Sequence, residues 1–170
     1  IVHKVKHNTK RLITSIKWVI FSIVVGIVAG SCGTAFYFAL SVVTDFRMKY
    51  PWLIYFLPIG GLAIVGLYHL CKDDNDTGTN LVISAIHSGD KVPFIMAPLI
   101  FVSTLITHLF GGSAGREGAA LQMGGSIGSS IGRVFRFDEK DKHVMIMCGM
   151  SAAFSALFGT PMAAAIFSME

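Results

Sequence analysis

The sequence predicts an all-α, polytopic membrane protein whose helices are broken and re-entrant. Three observations carry that reading. Only 14% of the 170 residues are charged and 53% are hydrophobic, with a mean hydropathy of +0.65; a soluble domain carries about 25% charged residues. Several runs hold no formal charge over the ~20 residues a helix needs to cross a bilayer. The breaks fall at glycine and proline inside apolar sequence, and non-helical backbone at membrane depth survives only where protein or a watery cavity surrounds it.

Residues 18–44 form the first uncharged run, long enough to cross with tilt. Lys4, Lys6, Lys10, Arg11 and Lys17 precede it and no acid does. The positive-inside rule therefore makes 1–17 a basic cytoplasmic segment and 18–170 the membrane domain. This placement accounts for the excess charge of +4 and argues against nucleic-acid binding. A signal peptide is excluded by the length of the apolar run. Residues 52–71 form a second run, interrupted by Pro58 and Gly60-Gly61. A polar loop follows, with Asp73, Asp74 and Asp76. It lacks the glycine and distal glutamate of a calcium loop and reads as solvated.

Residues 79–87 are amphipathic and too short to cross, with Thr77-Gly78-Thr79-Asn80 as a plausible cap. The Thr79 hydroxyl and the free N–H groups around Gly78 form a candidate anion contact there. Residues 93–110 carry only His108 as a titratable group, read as a hydrogen-bonded core histidine. They enter a glycine loop from which 119–134 leave as a glycine-rich helix. Residues 142–158, a break at Gly159-Thr160-Pro161 and a last apolar piece, 162–170, complete the chain. An end inside an apolar helix is the expectation for part of a longer protein.

The loop holds the chemistry. Gly111-Gly112-Ser113-Ala114-Gly115-Arg116-Glu117-Gly118 places a carboxylate among glycines at the start of a helix. An acid inside a membrane is costly and marks a functional site by default. Glycines let backbone N–H groups converge, and the helix N-terminus adds partial positive charge, which together suit an anion. There is no Gly-Lys-Ser/Thr ending, so a nucleotide loop is excluded. Cys32, Cys71 and Cys148 lie far apart without metal spacing, and no cofactor or metal is expected. Gly26-xxx-Gly30 and Gly128-xxx-Gly132 read as close helix packing, and the 124–130 run as a surface on which other helices approach.

Gly115-Arg116-Glu117-Gly118 followed by Ala119-xxx-Gln122-xx-Gly125 resembles the CLC family of chloride channels and anion/proton antiporters. The order of elements is similar too, and Phe158-Gly159-Thr160-Pro161 is similar to the family's Phe-Asn-Ala-Pro stretch. Two features depart from the chloride-selective pattern. Ala119 stands where the family usually has proline, and Gly78-Thr79-Asn80-Leu81-Val82 replaces a Gly-Ser-Gly-Ile-Pro loop. With the wording of 107–118 they look like the bacterial fluoride/proton antiporter branch, whose members often carry methionine at the position of Thr79.

The resemblance implies an inverted-repeat fold in a homodimer with one pore per subunit. This chain would hold most of the first repeat, without the second repeat's tyrosine. It implies Glu117 as gate and proton carrier, with Gly78, Thr79, Gly115, Arg116, Gly118 and Ala119 around the anion. The expected activity is fluoride/proton antiport across the cell membrane. A chloride/proton antiporter or chloride channel of the same family is the alternative. A membrane-embedded enzyme would need a second catalytic group beside Glu117, for which only His108 is near in sequence. A purely structural subunit leaves the acid in the loop unexplained.

Overall fold

The computed structural model describes residues 2–71 and 92–169, with side chains from Ser15 onward. Every regular element among them is helical: α1 (Val2–Lys49), a 3-10 helix (Pro51–Phe56), α2 (Leu57–Leu70), α3 (Met96–Leu109), α4 (Arg116–Val134), α5 (Glu139–Phe158) and α6 (Pro161–Met169). The predicted acidic loop, the short piece 79–87, Gly78 and Thr79 lie outside the described residues.

α1 is one continuous helix through Lys17 and Trp18, so the boundary expected at 17/18 is not a break in structure. Its buried positions, Val25, Ala29, Gly33, Phe36 and Leu40, recur every three or four residues and form one face. The rest of the helix presents Ile20, Ile23, Ile27 and Phe38 outward. Ser15–Lys49 and Pro51–Leu70 are both long and apolar enough to cross a membrane.

Two expected boundaries move. Pro58 starts α2 rather than breaking a span, because a proline in the first turn gives up an N–H that has no helical acceptor anyway. α4 begins at Arg116, three residues before the expected 119, so Glu117 lies on its first turn and not in the loop. Gly115 supplies the extended N-cap (φ −68°, ψ 120°), and the run Arg-Glu-Gly-Ala-Ala-Leu-Gln is mostly good helix formers.

α4 is the central helix. Residues 119–129 are buried on every side, against α1, α3 and α5. Few large side chains cover it, so the packing works by close backbone approach. A Cβ on Gly124 would run into the Gly149 carbonyl, and one on Gly128 into the Met145 carbonyl. A Cβ on Gly149 would in turn strike the Gly124 carbonyl and come within 3.2 Å of Gly128 Cα. The predicted small-residue surface of α4 is thus matched by a glycine on α5. Gly132 meets only the Lys142 side chain, and Gly26 and Gly30 meet nothing within 4 Å.

α3 lies antiparallel against α4, tied at its start. Ser126 Oγ donates to Pro93 O at 2.7 Å, and Arg133 Nη2 donates to Val92 O at 2.8 Å. At the break after α5, Gly159 adopts the left-handed region (φ 69°) that glycine tolerates, and Pro161 restarts the helix.

Gly128→Ala should therefore drive a methyl into the Met145 backbone. The expected cost is about 1–3 kcal/mol, as for other overpacked cores. It is read as a lowered midpoint of thermal unfolding for the detergent-solubilised protein carrying the substitution. An unchanged midpoint would mean that α4 and α5 can separate freely.

Candidate functional site

The turn between α3 and α4 is fixed by its glycines. Gly111 is left-handed (φ 82°) and donates to His108 O at 3.2 Å, while Gly112 donates to Thr107 O at 2.8 Å. This is the paired 5→2 and 6→1 closure that ends many helices. The turn is pinned against α2, where the Phe110 ring occupies the space a Cβ on Gly60 would need. His108 Nδ1 lies 2.9 Å from Thr104 O, which can only accept, so the ring is held by its own helix. This matches its reading as a hydrogen-bonded core histidine.

The chain then enters α4 without a cap. No side chain hydrogen-bonds the helix start at Gly115. The N–H groups of Gly115, Arg116, Glu117 and Gly118 therefore have no acceptor within the helix. The Ala119 N–H differs, since it makes the first intrahelical bond, to Gly115 O. Ala119 is buried and lines the cavity described next.

Beside this helix end is a cavity of about 330 Å³, lined by Gly115, Gly118, Ala119 and Gln122 of α4, Ile100, Ser103 and Thr104 of α3, and Tyr68 of α2. The α4 residues recur at i, i+3, i+4 and i+7 and those of α3 at i, i+3 and i+4, so each helix offers one face. Among the described residues the walls carry hydroxyls, an amide and backbone, and no charged side chain. Arg116 and Glu117 share the first turn of α4 but are not among the lining residues, and both are exposed in this chain. Neither makes a hydrogen bond or ion pair among the described residues, so Glu117 is not a structural partner of Arg116.

The structure thus brings together Gly115, Gly118 and Ala119 on the cavity wall, while Arg116 and Glu117 lie on the same first turn outside the lining. Gly78 and Thr79 lie outside the described residues. Tyr68, Ser103, Thr104 and the lining role of Gln122 were missed by sequence reasoning. The signal for the α3 residues was present: Ser103, Thr104, Thr107 and His108 form a polar stripe at helical spacing in an otherwise apolar segment. Among the described residues no cluster of three His, Cys, Asp or Glu is placed to hold a metal ion.

Residues 60–170 match the family described as voltage gated chloride channel. This chain belongs to the CLC family. It is 42% identical over 155 residues to the chloride/fluoride channel protein of Pseudomonas syringae pv. tomato, a match covering 91% of this chain and 34% of that protein. It is 27% identical to the H(+)/Cl(-) exchange transporter ClcA of Vibrio campbellii, covering 92% of this chain and 37% of that one. A crystal structure of a CLC-type fluoride/proton antiporter superposes with a TM-score of 0.82 at 41% identity, over 89% of this chain and 38% of the other. The chain therefore spans about a third of the length of these relatives, and its helices follow the CLC fold over that third.

The two glycines at the site carry different demands. Gly111→Ala should cost about 1–2 kcal/mol through the left-handed conformation alone, lowering the unfolding midpoint. Gly115 has φ −68°, and a Cβ there meets nothing within 4 Å. Gly115→Ala should leave the midpoint in place, so that any change in anion flux reports on access to the helix end. A large loss of stability in Gly115→Ala would contradict this division.

Proposed function

We propose that the transporter built on this chain exports fluoride in exchange for protons, with Glu117 as gate and proton carrier. The observation that supports it best is the uncapped start of α4, opening on a polar, uncharged cavity with a carboxylate on its first turn. The unused N–H groups and the helix dipole form a partial positive end that favours any anion. An ionised Glu117 is one such anion and a fluoride ion is another, so the two compete for one place. Protonation removes the carboxylate's claim and releases it to swing away with its proton while the anion enters. Each exchange of occupants then couples the two gradients.

Fluoride is the reading favoured by the relatives. The chloride/fluoride channel protein and the fluoride/proton antiporter are 41–42% identical, whereas those named as H(+)/Cl(-) exchangers are 25–29% identical. Chloride/proton exchange is the second reading, favoured by the number of such exchangers the chain resembles. Fluoride is small and strongly hydrated, so a site must replace its shell with close, strong donors. Backbone N–H groups and hydroxyls supply donors of that kind.

The same reading makes the protein a multi-pass transporter of the cell membrane, acting as a homodimer, and not an enzyme. Lys17 Nζ sits 4.9 Å above the Phe137 ring, Trp18 stacks against Phe137 and Phe21 meets it edge to face. The basic start of α1 and the far end of α4 therefore share one membrane face. The positive-inside rule makes it the cytoplasmic one, with the basic segment 1–17 there.

Two measurements test the proposal. Liposomes containing the transporter and loaded in turn with fluoride and chloride should release fluoride faster. Equal or faster chloride release would overturn the fluoride reading in favour of chloride exchange. Glu117→Gln should abolish proton movement against an anion gradient and make the remaining flux independent of pH. Proton pumping at the normal rate in this variant would remove Glu117 from the mechanism.

A further inference from the structure

We infer that the Thr104 hydroxyl is a hydrogen-bond donor to the dehydrated anion, facing the start of α4 across the cavity. The inference rests on the transport reading above and adds a side-chain ligand from a different helix. Its basis is a hydroxyl with no partner. Threonine within a helix ordinarily turns its hydroxyl onto the carbonyl four residues back. Thr34 does so onto Gly30 O at 2.9 Å, Thr44 onto Leu40 O at 2.7 Å and Thr107 onto Ser103 O at 2.8 Å. Among helical threonines with described side chains, Thr104 is the exception. Its Oγ1 makes no hydrogen bond among the described residues, although the residue is only 7% exposed. It lines the cavity with Gly115, Gly118 and Gln122.

The neighbouring hydroxyl cannot take this part. Ser103, equally buried and on the same wall, donates its proton to Leu99 O at 2.8 Å, with Ile100 O a second, longer acceptor at 3.3 Å. Ile100 O is the carbonyl Thr104 would otherwise use. With its single proton committed, Ser103 offers the cavity lone pairs, which suit a protonated carboxyl group and repel an anion. Thr104 keeps its proton for the cavity. A buried polar group left unpaired carries a cost, and an anion in the cavity relieves it. The anion would then be held from two sides, by the α4 N–H groups and by one hydroxyl. Neither side carries a formal charge, so the ion can leave again.

The test is flux from liposomes containing the wild-type transporter or Thr104→Val, Thr104→Ala or Thr104→Ser, loaded with sodium fluoride or sodium chloride. Valine keeps the shape and removes the hydroxyl, and alanine is a second hydroxyl deletion should valine disturb folding. Both deletions should slow release of the wild type's preferred halide by about tenfold or more, the size of one hydrogen bond to a charged group. Both should also narrow the fluoride-to-chloride ratio, while Thr104→Ser stays within about twofold of wild type, since its hydroxyl is kept. Wild-type rate and ratio in the folded deletion variants overturns the inference. So does an equal loss in Thr104→Ser, which would assign the residue to packing. A wild-type transporter that releases neither halide overturns the transport reading itself, and with it this assignment; a failure of Thr104 alone leaves that reading standing.

Discussion

The contact on which the structure depends is the meeting of α4 and α5 through Gly124, Gly128 and Gly149. Carbonyls lie where side chains would be, so the two backbones are as close as helices come. That closeness substitutes for the large side chains α4 lacks and holds the helix buried on all sides. A buried, fixed α4 fixes its own N-terminus. Its free N–H groups therefore point at one place, where a mobile helix would average them over many. Preorganised donors pay no reorganisation cost when the ion arrives, which a flexible loop would.

The same end of α4 explains why a carboxylate belongs there. A helix N-terminus carries roughly half an elementary charge, and Glu117 on the first turn is the natural counter-charge. In an ordinary protein that arrangement would be a stabilising decoration. Here no side chain among the described residues caps the helix and a polar cavity opens beside it, so in the proposed mechanism the counter-charge has a competitor. The physical chemistry of a capped helix and of a gated anion site is one and the same. What differs is whether a second anion can reach the end.

The helical class, the broken spans and the acid-bearing glycine motif were all legible in the sequence, because charge-free runs and Gly/Pro breaks are local signals. The start of α4 was placed three residues late because its glycines suggested loop, whereas Gly115 alone serves as the extended N-cap and Arg116 already continues as helix. Pro58 looked like a break because proline's effect depends on its place in the helix, and first-turn position is set by the preceding 3-10 turn. The cavity was not legible as a unit. Tyr68, Thr104 and Gln122 come from three helices, and only packing brings them to one wall.

Under the proposed mechanism, the lack of charged side chains among the described lining residues is itself a constraint. A lysine or arginine pointed at the ion would bind it more tightly, yet transport requires release as well as capture. Half-charges from a helix end and single hydroxyls are individually weak and sum to a hold that one proton can undo. Glu117 would be unable to compete against a full cationic site, since the ion and the carboxylate would both be trapped. With neutral donors, the balance between them shifts with one protonation. On the proposed reading, glycine, threonine and serine at this site, in place of basic residues, are what would let a single carboxylate act as the switch.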